Sequence, residues 1–188
     1  MMLIKKLELL KPLIGDTKLI KIEAITGADV YAKLELNNGL SKSIKDRAAY
    51  NILYQGILSG DINQDTTIVE SSSGNFAVSL AIMCHFLGIK FIPVIDKNIN
   101  SFYEDKLRAL CEQVYKIEER DNTGGYLLNR IKKLKCLLNE IPNSFGTNQY
   151  ENIHNREAYN HQLAPEIITS FSSLDYLFVA CSTGGTIS

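Results

Sequence analysis

Three short polar clusters place reactive residue types where helices begin: Ser43-Ile44-Lys45-Asp46-Arg47, Ser71-Ser72-Ser73-Gly74-Asn75 and Ser182-Thr183-Gly184-Gly185-Thr186. In the second, hydroxyls and main-chain N–H groups gather at the positive end of a helix starting at Asn75, which favours a carboxylate or phosphate. In the third, paired glycines permit a turn whose N–H groups converge on an anion, with threonine hydroxyls beside them. Lys45 is an amine at a helix start next to Ile44, and burial there lowers its pKa toward a neutral, nucleophilic form. The P-loop pattern and G-x-G-x-x-G are both missing, which removes the best support for ATP or NAD. Each cluster alone also has a purely structural reading. Serines before helices act as N-caps, Lys-Asp-Arg at a helix start forms a solvated face, and Gly-Gly closes a strand-end turn.

The elements that must hold these clusters alternate. Leu19–Ile22 and Val30–Leu36 read as a hairpin around a turn at Thr26-Gly27-Ala28-Asp29. A helix runs from Ser43 to Gly56 or Gly60, with Lys45 at its start. Thr66–Glu70 is a strand, Asn75–Leu87 a helix closed by Gly88, and Lys90–Ile95 a strand in which Pro93 predicts an edge or a bulge. Asn100–Cys111 is a helix, Gln113–Ile117 a strand, and Gly125–Ile141 a helix with Leu127, Leu128, Ile131, Leu134 and Leu138 on one side. A loop follows Pro142-Asn143, and Pro165 starts a new helix in the stretch beyond it. Leu174–Ala180 is the last expected strand, leading into the glycine cluster. This is an α/β chain with a mainly parallel sheet.

Composition narrows the partners. The 188 residues are 45% hydrophobic and 22% charged, with 20 Lys+Arg against 21 Asp+Glu for a net charge of −1, so no excess charge is available to grip nucleic acid or an anionic membrane. No apolar run approaches the roughly 20 residues of a membrane span, and Met1–Leu13 alternates lysines with leucines unlike a secretory signal, so a cytoplasmic protein is expected. Cys84, Cys111, Cys136 and Cys181 form no C-x-x-C pair and are expected as buried packing residues. Neither they nor His85, His154 and His161 have metal-ligand spacing, and no metal site is expected.

Read in order, the three clusters together with Asn148-Gln149-Tyr150-Glu151-Asn152 resemble the fold-type II pyridoxal-phosphate (PLP) enzymes, in particular the cysteine synthase (O-acetylserine sulfhydrylase) branch. The resemblance runs from about Gly15 to the C-terminus. It implies a three-layer, parallel-sheet α/β fold like that of the tryptophan synthase β subunit. Residues 41–148 would be a small mobile domain, and residues 1–40 and 149–188 an incomplete large domain that binds the PLP phosphate. It further implies that Lys45 is the catalytic residue, forming the Schiff base and acting as base at the substrate Cα. Asn75 would bond the ring oxygen of PLP, Ser182, Thr183, Gly184, Gly185 and Thr186 would cradle its phosphate, and Ser72, Ser73, Gly74 and Gln149 would hold the substrate α-carboxylate.

The activity so implied is β-replacement on an O-activated L-serine (O-acetyl- or O-phosphoserine) through an aminoacrylate. Asn122-Thr123-Gly124-Gly125-Tyr126 is similar to the relative that joins O-phosphoserine to glutamate toward 2,3-diaminopropionate for siderophores, which favours an amine nucleophile. Elimination of the serine/threonine dehydratase type is the alternative within enzymes, and an inactive truncated fragment the alternative outside them. Two departures stand out. Phe76 replaces the threonine usual after the asparagine, and Asn37–Lys42 lacks the usual Asn-Pro-Gly-Gly run. The resemblance implies a homodimer, and because the sequence stops in the middle of a unit, a complementing C-terminal chain is the alternative expected partner.

Overall fold

The computed structural model describes residues 2–23 and 27–187. Helix α1 (Met2–Glu8) precedes β1 (Leu19–Lys21) and β2 (Tyr31–Lys33), which pair antiparallel with Leu19 opposite Lys33. Thr26 of the expected turn lies outside the described residues, and Gly27 takes φ +86°, a left-handed value that suits glycine. Helix α2 (Lys45–Ser59) follows and stops at Gly60, left-handed at φ 88°.

The chain then alternates: β3 (Thr67–Ser71), α3 (Asn75–Leu87), β4 (Lys90–Asp96), α4 (Ser101–Leu110), β5 (Tyr115–Ile117), α5 (Leu127–Glu140) and β6 (Ser144–Gly146). The strands form one parallel sheet in the order β5-β4-β3-β6. Side chains alternate across it: Ile68, Phe91 and Ile95 enter the large core shared with α2 and α3, while Val69, Ile92 and Val94 meet Leu137 of α5 on the other face. The result is the expected helix–sheet–helix layering. After the sheet come α6 (Ile153–Ala158), capped by Asn152, a π-helical segment (Tyr159–Leu163), and α7 (Ala164–Ile168), with Pro165 in its first turn.

Several expectations are corrected. Strand β6 replaces the expected loop after Pro142-Asn143: three residues are too few to show alternation in the sequence, and register against β3 makes them a strand. Pro93 causes no bulge, since the β3–β4 register runs unbroken through Glu70↔Pro93, and β4 lies inside the sheet. Pairing with β5 begins only at Val94, so beside Pro93 the strand has one neighbour. Leu174–Ala180 is not a strand; no described segment ladders with it, and all its side chains but the half-buried Val179 stand in solvent, Phe178 at 92%. Leu127 and Leu128 are exposed, and the inward stripe of α5 is Leu134, Leu137 and Leu138. Cys84 and Cys111 are buried as expected, whereas Cys136 and Cys181 are exposed; Cys136 donates its thiol to Glu140 one helical turn on. Among the described residues no helix is long and apolar enough to cross a membrane, and no three His, Cys, Asp or Glu side chains gather as metal ligands.

Candidate active site

Connections from β3 run through α3 to β4 and onward, while β6 returns to the other side of β3. The carboxyl ends of β3 and β6 therefore flank a switch point, where open parallel sheets bind ligands. Ser71 ends β3 and leads into Ser72-Ser73-Gly74 and the start of α3, while β6 leads into Thr147–Gln149. A cleft of about 290 Å³ opens there. It brings together Lys45, Ser72, Ser73, Gly74, Asn75, Gln149, Ser182 and Thr183 from the sequence-derived set. Gly184 and Thr186 do not line this cleft, and Gly185 lines an adjoining cavity of about 280 Å³ that shares Thr183 and Tyr150 with it.

Lys45 is held from behind. Its main-chain N–H donates to Ser43 Oγ at 3.2 Å, and Ser43 Oγ in turn is 2.8 Å from Ser41 Oγ. The next residue, Asp46, is fully buried and accepts from the main-chain N–H groups of Leu40 (3.2 Å) and Ser41 (2.9 Å) and from Ser79 Oγ of α3 (2.7 Å). Arg47 is also fully buried, bonded to Glu35 at 2.8 Å and Glu166 at 2.6 Å. The Lys-Asp-Arg run is thus not a solvated face. Successive helical residues point about 100° apart, so one run sends Lys45 to the cleft and two charges into the protein. Burial lowers the Lys45 pKa, and no carboxylate pairs with its amine among the described residues.

Across the cleft, Ser73 Oγ donates to Asp96 Oδ2 at 3.1 Å and accepts from Arg130 Nη1 at 2.9 Å, with the Arg130–Asp96 ion pair at 3.2 Å. Arg130 of α5 lines the cleft and is in none of the sequence motifs; Ser71 and Tyr150, which lie within the motifs without an individual role, line it too. Arg130 carried a faint signal: it lies four residues before Leu134 and seven before Leu137, on the inward stripe of an otherwise apolar helix face. Phe76, 2% exposed, also reaches the cleft.

The cleft has the donors a phosphorylated, carbonyl-bearing cofactor needs. It offers a desolvated amine, an asparagine at a helix start, and the Ser182 and Thr183 side chains. Ser71 Oγ is buried there without a hydrogen-bond partner. Above Gly74 a Cβ would meet nothing within 4 Å, leaving the helix start open to a ligand. Residues 10–188 match the family described as pyridoxal-phosphate dependent enzymes.

The chain belongs to that family.

Its cofactor is pyridoxal 5'-phosphate, and the donor set fits that group. The chain is 35% identical to an N-(2-amino-2-carboxyethyl)-L-glutamate synthase from Cupriavidus metallidurans, covering 93% of this chain and 52% of the relative. It is 39% identical to a cysteine synthase B from Campylobacter jejuni, covering 96% and 59%. Among solved structures, an O-acetylserine dependent cystathionine β-synthase from Helicobacter pylori superposes with a TM-score of 0.82 at 31% identity, covering 94% of this chain and 58% of that one. The chain thus spans about half the length of the relatives it matches, and the cysteine-synthase-like resemblance read from the motifs agrees with them.

Proposed function

We propose that the protein performs PLP-dependent β-replacement on an O-activated L-serine. The observation that carries this is the half-buried Lys45 amine lining one cleft with the Ser72-Ser73-Gly74 turn and Gln149. Bound PLP supplies an electron sink for charge at the substrate Cα. Ser72, Ser73, Gly74 and Gln149 hold the α-carboxylate at the α3 N-terminus, where the helix dipole favours it. Asn75 bonds the ring oxygen, and Ser182, Thr183, Gly184, Gly185 and Thr186 hold the phosphate. Lys45 anchors the cofactor and, once freed, takes a proton from Cα; burial lowers its pKa from the ordinary lysine value and so favours the neutral amine that a base must be. Residues 41–148 form a small domain that closes over the substrate, with 1–40 and 149–188 as part of the large one. Assembly as a homodimer or with a complementing chain, in the cytoplasm, completes the reading.

The test is an absorbance scan of purified protein with PLP. A visible band that shifts when O-acetyl-L-serine or O-phospho-L-serine is added supports the proposal. Product analysis decides the reaction class: pyruvate and ammonia with no new Cβ bond would point to elimination, and a folded protein without any band to an inactive fragment.

One observation favours a narrower reading. Arg130 brings a guanidinium to the cleft, with Nε buried and unpartnered, which suits a phosphate leaving group better than a neutral ester. The name of the Cupriavidus relative supports an amino-acid amine as nucleophile. Arg130→Ala is expected to raise KM for O-phospho-L-serine at least about tenfold more than for O-acetyl-L-serine, since a charge-assisted bond is lost only with the former. Equal losses on both esters would remove this narrower reading.

A further inference from the structure

Beneath the cleft lies a carboxyl group that the proposed reaction does not use. Glu70 is 2% exposed, near the end of β3, and Thr147 Oγ1 just past the end of β6 donates to its Oε2. The main-chain N–H groups of Gln149 and Ser71 also face this carboxyl and favour its charged form, while burial opposes it and raises the pKa. The strands themselves are joined only as far as Val69↔Gly146, with a 3.4 Å bond from Thr147 N–H to the Val69 carbonyl beyond. Past that point the ladder ends and two separate loops carry the candidate carboxylate site, Ser72-Ser73-Gly74 on one side and Gln149 on the other. An internal carboxyl with donors from both loops does what the missing ladder rungs cannot.

We propose that Glu70 is a positioning residue: it fastens the loop after β6 to the loop after β3 and so fixes Gln149 opposite Ser72 and Ser73. This rests on the reading of those residues as the carboxylate site, but the fastening itself is testable without it. Glu70→Met keeps the bulk of the side chain and removes both acceptors. Glu70→Gln keeps an acceptor for the N–H groups and a donor for Thr147 Oγ1. Thr147→Val removes one arm and leaves Glu70 in place.

The first measurement is amide hydrogen exchange in the PLP-loaded protein. Glu70→Met is expected to speed exchange at Gln149 and Ser71 by about tenfold or more, with Thr147→Val giving a smaller rise, Glu70→Gln near wild type and the α3 and β4 amides unchanged. The second is the concentration of O-acetyl-L-serine or O-phospho-L-serine that half-shifts the visible band. It should rise about tenfold in Glu70→Met with the unliganded band unaltered, and return to within about threefold in Glu70→Gln. If Glu70→Met does not fold, Thr147→Val carries both measurements. Unchanged exchange at Gln149 in Thr147→Val and Glu70→Met, or acceleration spread evenly over the sheet, would overturn the proposal. Local acceleration with no change in half-shift concentration would keep the fastening and overturn the placement of the carboxylate at Gln149.

Discussion

Arg47 Nη1 lies 2.6 Å from Glu166 Oε1 and Nη2 lies 2.8 Å from Oε2, so the residue two positions after Lys45 is forked onto α7, 119 positions along the chain. Glu35 takes Nε at 2.8 Å, and Lys33 adds a second cation to Glu166 at 2.6 Å. Two cations and two carboxylates balance in a cluster of three half-buried groups around the fully buried Arg47, which is tolerated because each charge has a partner. Removing one partner leaves an uncompensated charge. Arg47→Met is expected to lower unfolding free energy by about 3–5 kcal/mol, read from urea denaturation. Arg47→Lys should recover little of it, because one ammonium cannot bond both carboxylates in the fork geometry. Full recovery by lysine would show that charge alone matters there.

The same cluster sets an acid limit. Burial raises the Glu166 pKa, but hydrogen bonds from Arg47 and Lys33 outweigh it and bring the carboxyl to about 2, against an ordinary value of 4.5. A folded pKa below the unfolded one contributes stability that is present above the ordinary carboxylate range and lost as pH falls through the folded value. Stability is therefore expected to drop between about pH 4.5 and pH 2. Glu166→Gln, less stable at neutral pH, should show a shallower drop over that window in pH-dependent denaturation. An unchanged slope would assign the acid limb to other carboxylates.

The residues that line the cleft are more legible in the sequence than those that hold them. Lys45, Ser72, Ser73, Gly74, Asn75 and Gln149 were read from motifs, and the structure gathers them because strand ends in a parallel sheet share one edge. Helices with glycine stops, α2 at Gly60 and α3 at Gly88, were read from apolar periodicity and punctuation. Asp46 and Arg47 were not legible as core residues, since a charge at a helix start is usually solvated and their partners, Ser79, Glu35 and Glu166, are distant in sequence. Glu70 was hidden for the same reason: its donor Thr147 is 77 positions away. The stretch 174–180 failed in the opposite way. Its pattern is strand-like, but a strand exists only beside another strand.

Lys45 has two expected signatures. Lys45→Ala should lose the visible band with added PLP, and borohydride should no longer fix PLP to the protein, measured by intact mass; a band unchanged from wild type would move the cofactor lysine elsewhere. Burial also lowers its pKa from the ordinary 10.5, so the neutral amine is populated at lower pH than in an exposed lysine. In PLP-free protein, labelling at Lys45 by a small amine reagent should have its pH midpoint below that ordinary value, and a midpoint at or above it would remove the case for Lys45 as a neutral base.

Gly185 shows how the glycine loop and the carboxylate loop constrain each other. A Cβ there would lie 2.6 Å from Asn155 Nδ2, and that amide already donates to the Gln149 carbonyl at 2.6 Å. Asn155 is 3% exposed, so it cannot swing into solvent to make room. Gly185→Ala must then displace either the glycine loop or Asn155, an overpacking that costs about 1–3 kcal/mol. PLP affinity is expected to fall about tenfold or more, measured by equilibrium titration of the visible band, because the loop we propose to hold the phosphate shifts. Asn155→Ala in the same chain opens the space but cuts the bond to Gln149. The double variant should therefore recover PLP affinity while the substrate concentration that half-shifts the band stays raised. If the double variant binds PLP no better than Gly185→Ala, the loss comes from the backbone of the glycine loop rather than from its contact with Asn155.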